Sequence, residues 1–172
     1  MKTKVLILGA SSFAGSSFIN FLIQKNRYKI LGTYNSKKNL KKLIFKKSLN
    51  KFKLIKLDLN REKNSLLKIV KSFKPEYIFD FASVCMVNES WDAPDYYFRV
   101  NLNSKINFIQ NMHNLPFIKK FIYVGTPEIF GSTLKPVKEN SLLFNPSTPY
   151  AISKLSFEQF LMAYQKNYGS KV

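Results

Sequence analysis

Tyr150 and Lys154 lie four residues apart in the stretch NPSTPYAISK, directly after a run of turn-forming residues. Residues at this spacing are neighbours on one face of a helix, and many such pairs only share solvent. A lysine ammonium held beside a tyrosine also favours the phenolate, which lowers the pKa of the phenol and makes it a proton acceptor near neutral pH. The pair is therefore a candidate acid/base site, and its surroundings must decide between the two interpretations.

A glycine-containing turn near the start of the chain is the second candidate site. The sequence GASSFAG places Gly9 directly after an apolar run and Gly15 inside the start of a predicted helix. Glycines there allow a sharp turn, and the helix N-terminus offers free N–H groups to a pyrophosphate. Ser12 stands where a middle glycine is expected, which puts a side chain near the phosphates; an ordinary strand-to-helix turn is the alternative. The residues of this turn predicted to bind a dinucleotide are Gly9, Ser11, Ser12, Phe13, Ala14 and Gly15.

Short apolar runs alternate with segments of helical period along the chain. The predicted strands are KVLIL, YKILGTY, KLIKLDL, EYIFDFAS and FIKKFIYVG, and the last predicted helix covers residues 150–168. The predicted long helix after the fourth strand carries Phe98, Leu102, Ile106 and Ile109 on one stripe. This alternation predicts βαβ units and a Rossmann-like α/β fold: one domain over residues 1–172, with a doubly wound parallel sheet and helices on both faces.

Polar residues follow the predicted strands at the edge where an open α/β sheet binds its ligand. After the second strand, a carboxylate would bind ribose hydroxyls and a cation would bind a 2′-phosphate. The sequence GTYNSKK has no acid there and supplies Asn35 and Lys37, which favours NADP over NAD, although the lysine-rich composition also explains these residues. The third and fourth strands end with further predicted cofactor contacts at Asp58, Leu59, Phe81, Ala82 and Ser83.

Thr126 and Glu128 follow the fifth strand in GTPEIFG, on the same predicted edge. Tyr150 and Lys154 begin the next helix, so the four side chains converge beside the predicted nicotinamide position. This convergence favours chemistry over a solvent-exposed pair. Tyr150 and Lys154 are therefore also predicted cofactor contacts.

Composition excludes several other classes of function. The chain has 172 residues, is 45% apolar and carries a formal charge of +18, almost all of it lysine. Lysine spread through an Asn-, Ile- and Phe-rich chain indicates a compositional bias, not a phosphate-binding patch, so no nucleic-acid partner is expected. The single cysteine, Cys85, excludes an intrachain disulfide and a cysteine-based zinc site. No metal, no membrane partner and a cytoplasmic location are expected.

Several ordered motifs resemble the NAD-dependent epimerase/dehydratase family of extended short-chain dehydrogenases/reductases. YAISK matches a YxxxK motif, GASSFAG resembles a GxxGxxG turn, and VGTPEIFGS is similar to a dehydratase pattern written V-S-T-x-E-x-Y-G. The stretch from Ser90 to Asn101 resembles nucleotide-sugar 4,6-dehydratases, GDP-mannose 4,6-dehydratases in particular. Gly125 replaces the usual serine, and Pro127 stands where some members carry a catalytic aspartate.

The resemblance implies a nucleotide-sugar substrate and a dehydration assisted by NAD or NADP. It assigns Tyr150 to the proton of the sugar 4-hydroxyl, Lys154 to lowering the Tyr150 pKa and holding the nicotinamide ribose, and Thr126 to the reacting oxygen. Glu128 would remove the C5 proton before hydride returns at C6. An epimerase or reductase of the same fold, or a non-catalytic cofactor-binding module, remains open.

Members of this family are generally about twice as long, the room that a second domain needs. The resemblance therefore covers an N-terminal part, with the C-terminal part of the family fold missing. The chain alone is expected to be inactive, and the full-length form is expected to be a homodimer.

Overall fold

The computed structural model describes residues 2–36, 50–59, 61, 64–169 and 171–172. Lys37 and most of the lysine-rich segment after it lie outside the described residues. Within the described ranges the fold confirms the predicted class, a parallel sheet covered by helices.

The sheet has five parallel strands in the order β3-β2-β1-β4-β5. The chain runs outward from β1 to β2 and β3 on one side, then returns to the centre and continues through β4 and β5 on the other side. The carboxyl ends of β1 and β4 therefore flank the point where the strand order reverses, which is where open α/β sheets form a ligand crevice. The strands are β1 Thr3–Leu8, β2 Tyr28–Tyr34, β3 Lys53–Lys56, β4 Tyr77–Asp80 and β5 Lys120–Tyr123.

Helices connect the strands on both faces of the sheet. The helices are α1 Phe13–Gln24, α2 Ser65–Phe73, α3 Pro94–Phe98, α4 Ser104–Met112 and α5 Pro149–Tyr168. One turn of π-helix, the π-turn, covers Arg99–Asn103 and joins α3 to α4 without a break. A short 3-10 turn covers Pro127–Phe130. Pro149 at the first position of α5 and the Thr148 hydroxyl, which accepts the Ala151 N–H, begin that helix where the sequence predicts it.

Alternate residues of the central strand β1 face the two halves of the core. Leu6 and Leu8 pack with α2, α4 and α5, where Phe157 and Leu161 are buried. Val5 and Ile7 face the opposite side and pack with Ile19 and Leu22 of α1. This alternation is the period of two expected for a strand with both faces covered.

The predicted apolar stripe on the helix after β4 is not the face that the structure buries most deeply. Phe98, Leu102 and Ile106 are only partly buried, while Ile109 is fully buried. The buried face includes the polar side chains of Asn101 and Lys105, because their polar atoms bind backbone groups just beyond the end of β4. The fully buried residues of this face are Tyr97, Asn101, Lys105, Phe108 and Met112.

Candidate functional site

A cleft of about 150 Å³ opens at the carboxyl ends of the central strands. It lies at the reversal of strand order between β1 and β4, with β2 and the end of β3 forming its other wall. Nine of the residues predicted from sequence to contact a dinucleotide line it: Gly9, Ser11, Ser12, Asn35, Asp58, Leu59, Phe81, Ala82 and Ser83. Thr33, Tyr34, Val84, Tyr96 and Val100 complete the lining together with Leu57.

Gly9 is required at the turn by both conformation and space. Its φ is +73°, a region that side-chain-bearing residues rarely adopt. A Cβ atom there would lie 2.7 Å from the Ala82 backbone nitrogen, so the turn after β1 and the end of β4 touch through their backbones. Gly15 is likewise needed, since a Cβ there would collide with the Gly9 carbonyl oxygen. The two glycines bring helix, turn and strand close enough to form the floor of the cleft.

Ser12 is the N-cap residue of α1. Its Oγ accepts the Gly15 N–H at 3.0 Å, and Thr33 Oγ1 accepts the Gly9 N–H at 3.2 Å. The Ser12 hydroxyl oxygen therefore accepts an N–H that a glycine at this position would leave free for a phosphate oxygen. Phe13 and Ala14 begin the helix, and their side chains are exposed while their N–H groups have no partner inside the helix. These two residues can bind an anion through the backbone alone.

Tyr150 and Thr126 are brought together by α5 and the turn after β5. Thr126 caps the 3-10 turn, where its Oγ1 accepts the Glu128 N–H at 3.3 Å. Its hydroxyl also lies within hydrogen-bonding reach of the Tyr150 phenol, which lowers the pKa of that phenol. Burial has the larger and opposite effect, and the net pKa of Tyr150 is raised above its usual value. Thr126 is thus the group that offsets the burial of the phenol.

Lys154 is not among the groups that shift the Tyr150 pKa, which are Thr126, Cys85 and Glu128 after burial. Its Nζ donates to the Val124 carbonyl oxygen at 2.7 Å and lies 4.2 Å from the centre of the Tyr123 ring. The side chain is buried, and burial followed by repulsion from Lys105 lowers the Lys154 pKa to about 8. The ammonium is held at the end of β5, so a lowering of the Tyr150 pKa would need Lys154 to turn away from Val124.

Asn101 is a site residue that the sequence analysis missed. Its amide exchanges hydrogen bonds with both backbone groups of Val84, at 2.9 and 3.1 Å, and donates to Ser153 Oγ at 3.0 Å. Ser153 Oγ in turn donates to the Tyr150 carbonyl oxygen at 2.7 Å. One buried amide therefore ties the strand end that lines the cleft to the helix that carries Tyr150. Its signal in the sequence was its position at the end of the Ser90–Asn101 stretch, a motif that assigned it no role.

Glu128 is half-buried on the 3-10 turn and close enough to raise the Tyr150 pKa by its charge. A second cavity of about 600 Å³ lies on the other side of this turn, and its lining includes Thr126, Glu139 and Glu158. Gly125 has room for a side chain, because an added Cβ would meet only Glu158 Oε2, at 3.4 Å. Pro127, an exposed residue at the start of the turn, supplies no ionisable group.

His113 and Cys85 are the single histidine and the single cysteine of the chain. His113 ends α4 and stacks on Tyr168 with ring centres 4.7 Å apart. Cys85 is exposed just beyond the end of β4. Among the described residues, no helix is both long enough and apolar enough to span a membrane.

Comparison with known proteins finds similarity to nucleotide-sugar enzymes. The family of GDP-mannose 4,6 dehydratases matches residues 6–172. The chain is similar to UDP-glucose 4-epimerase of Mycoplasma genitalium, with 27% identity over 96% of the chain and 49% of that protein. It is also similar to GDP-mannose 4,6 dehydratase 1 of Arabidopsis thaliana, with 28% identity over 95% of the chain and 48% of that protein. The chain thus spans about half the length of the curated relatives it matches.

A solved structure supports the fold. The UDP-glucuronic acid 4-epimerase from Bacillus cereus, determined in complex with UDP-glucuronic acid and NAD, superposes with a TM-score of 0.82 at 24% identity. The superposition covers 98% of this chain and 54% of that one.

Proposed function

The chain belongs to the GDP-mannose 4,6-dehydratase family, and from that premise we propose that it is the cofactor-binding part of a nucleotide-sugar 4,6-dehydratase. The observation that carries the proposal is the arrangement of Thr126, Glu128 and Tyr150, in which one hydroxyl joins the phenol and the turn that bears the carboxylate. A nicotinamide dinucleotide, when bound, supplies the acceptor and later the donor of hydride.

The cleft has features that fit such a cofactor. Backbones approach closely at Gly9, and the first N–H groups of α1 point out of the turn, as binding of a pyrophosphate requires. Asp58 and Asn35 line the wall where a ribose would bind. Solved relatives of the same fold contain NAD, which supports a nicotinamide dinucleotide here.

Tyr150 is the proposed base for the 4-hydroxyl of the sugar. Thr126 can donate its hydroxyl hydrogen to the phenolate oxygen or to the reacting oxygen, since its Oγ1 already accepts the Glu128 N–H. Burial keeps water from the phenol, and it makes each hydrogen bond to the oxygen more important for the anionic form. Lys154 supplies the cation that holds the ribose side of the site once it leaves Val124.

Glu128 is the proposed base for the C5 proton, which the neighbouring keto group acidifies. Pro127 cannot protonate the leaving hydroxyl at C6, so Glu128 would return to that oxygen the proton it took from carbon. Glu128 acts first as the base and then as the acid, which balances the elimination of water. When hydride returns at C6, C5 takes up a second proton, which the half-buried Glu128 would draw from solvent. An epimerase or reductase would need only Thr126, Tyr150 and Lys154, and the similarity to UDP-glucose 4-epimerases supports that second candidate.

Glu128→Gln tests the choice between these reactions in the form of the enzyme that also contains its substrate-binding part. We expect the variant to accumulate reduced cofactor, seen by absorbance, while dehydration slows by about 10²–10⁴, the usual effect of losing a positioned acid/base. Tyr150→Phe should instead suppress the reduction itself. Glu139→Gln, which changes an exposed carboxylate of the next loop, serves as the control. Dehydration by Glu128→Gln at the normal rate would remove Glu128 as the C5 base, whereas absence of any dehydrated product from the wild type would remove the dehydratase assignment in favour of the epimerase or reductase.

A further inference from the structure

Asp80 and Lys105 form a buried ion pair that the proposed reaction does not use. Lys105 Nζ lies 2.7 Å from Asp80 Oδ2, and the two side chains are 1% and 0% exposed. Burying two charges is costly, and replacing such a pair with apolar residues is often neutral or stabilising. A pair of this kind is therefore weakly explained by stability, and its other contacts suggest a different use.

Both members of the pair bind the backbone of Ala82. Asp80 Oδ1 accepts the Ala82 N–H at 3.0 Å, and Lys105 Nζ donates to the Ala82 carbonyl oxygen at 2.6 Å. Ala82 lines the cleft and meets the turn at Gly9 through its backbone nitrogen. The pair therefore fixes, from inside the core, the strand end that forms one wall of the cofactor cleft.

Lys105 also places a second cation near Lys154. The Tyr123 ring lies beside both: Lys154 Nζ is 4.2 Å and Lys105 Nζ is 5.8 Å from its centre. Charged and titratable groups from several elements surround Lys154. These groups are Asp80 of β4, Cys85 beyond it, Lys105 of α4, Tyr123 of β5 and Glu158 of α5.

We propose that Asp80 and Lys105 are a positioning pair for this site. The pair holds Ala82 against the turn at Gly9 and, from inside the core, determines the electrostatic environment of Lys154. The proposal rests on the proposed function in that Lys154 must serve a cofactor-binding site. The effect of the buried pair on Lys154 and on Ala82 can be measured in the absence of a sugar substrate.

The two members of the pair have opposite effects on Lys154. After burial, repulsion from Lys105 is the largest cause that lowers the Lys154 pKa, while Asp80, Cys85 and Glu158 raise it. Loss of the Lys105 charge should therefore raise the Lys154 pKa, and loss of the Asp80 charge should lower it. Instability caused by a packing defect would not give shifts of opposite sign.

The test is a pH titration of the chain labelled with ¹³C at the lysine side chains, followed by NMR. The Lys154 signal is identified by its loss in Lys154→Arg. We expect Lys105→Met to raise the Lys154 pKa by roughly 1 unit, the size of effect that a nearby charge has on a buried group. Asp80→Asn should lower it. Lys119→Met, which breaks an exposed pair with Glu76, should leave it unchanged.

A double variant covers the case in which either single variant fails to fold. Asp80→Asn with Lys105→Met leaves no unpaired charge, and because the Lys105 effect is the larger one, the Lys154 pKa should stay above that of the wild type. A Lys154 pKa that is equal to wild type in the double variant, or shifts of the same sign in both single variants, would overturn the proposal.

Cofactor binding gives the second readout. NADH titrations should show affinity at least about tenfold weaker in the double variant and unchanged in Lys119→Met; equal affinity would overturn the positioning of Ala82. If the wild type binds no dinucleotide, the proposed function fails, while the lysine titration still decides the electrostatic part of the inference.

Discussion

Tyr150 and Thr126 set the pH dependence of the site at the scale of single residues. Burial raises the pKa of the phenol, and the hydrogen bond from Thr126 is what opposes it. In the proposed reaction the proton acceptor is the Tyr150 phenolate, so the rate of the first hydride transfer should rise with pH up to the Tyr150 pKa. Removing the hydrogen bond should move this rising limb further toward alkaline pH.

Thr126→Val removes the hydroxyl with little change in volume. A hydrogen bond to a charged group contributes about 1.5–3 kcal/mol, which corresponds to a shift of roughly 1–2 pH units. We expect the rising limb of the pH–rate profile to move upward by that amount, measured as the rate of cofactor reduction in a single turnover. Thr126→Ser keeps the hydroxyl and the cap on Glu128, so its profile should match the wild type. Identical profiles for Val and Ser would show that the hydroxyl does not act on Tyr150.

The sequence was informative about which candidate residues meet at one edge of the sheet and less so about where their side chains point. Tyr150, Lys154, Thr126 and Glu128 were recognisable because motif spacing and strand ends bring them to one edge. The Nζ of Lys154 bound to Val124 was not predictable, since it depends on a tertiary contact with a carbonyl 30 residues away in sequence. Asp80 could not be distinguished from an ordinary strand-end residue, because its pairing with Lys105 depends on how the helix packs against the sheet.

At the scale of elements, the helix from Pro94 to Met112 joins the cofactor cleft to the catalytic helix. Its length and position could be predicted from sequence, but the buried face could not. Hydrophobic periodicity counts apolar residues only, whereas this helix buries Asn101 and Lys105 to bind backbone groups beyond β4. The π-turn over Arg99–Asn103 has no local sequence signal of the kind that proline or glycine gives a turn.

Asn101→Leu tests the role of the π-turn in linking the two elements. The change leaves both backbone groups of Val84 and the Ser153 hydroxyl without their partner, and each unsatisfied group costs about 1–3 kcal/mol. We expect the free energy of unfolding, measured with urea, to fall by about 3 kcal/mol. Asn103→Leu on the same turn changes an exposed side chain and should stay within about 0.5 kcal/mol of wild type. Equal effects of the two changes would mean that Asn101 does not link the elements.

At the scale of the whole molecule, the choice between NAD and NADP depends on residues after β2. No acidic residue follows Tyr34 up to Lys37, and lysines follow from there. Calorimetric titration of the chain should show NADPH binding more tightly than NADH, by roughly tenfold or more if one lysine meets the 2′-phosphate. Lys37→Ala should remove the difference. Tighter binding of NADH by the wild type would exclude the assignment of Lys37 to the phosphate.

The isolated chain is expected to bind its cofactor weakly and to show no turnover. Positioning of a substrate can provide about 7–11 kcal/mol of a reduction in barrier, and the matched relatives have about as much chain again beyond the region they share with this one. Incubation with GDP-mannose, UDP-glucose and dTDP-glucose, followed by chromatography that separates epimers and by mass spectrometry, checks this. A product 18 mass units lighter than the substrate would show that residues 1–172 already position the sugar.

The π-turn also determines where this chain can change in length during evolution. Asn101 and Lys105 stand on either side of its end and hold Val84 and Ala82, respectively. Each residue of a helix adds about 100° of rotation, so a one-residue deletion between them would turn Lys105 away from Asp80 while Asn101 stayed in place. Substitutions on the outer face of the helix can accumulate, whereas insertions and deletions should be confined to segments such as 132–140, where every residue is exposed.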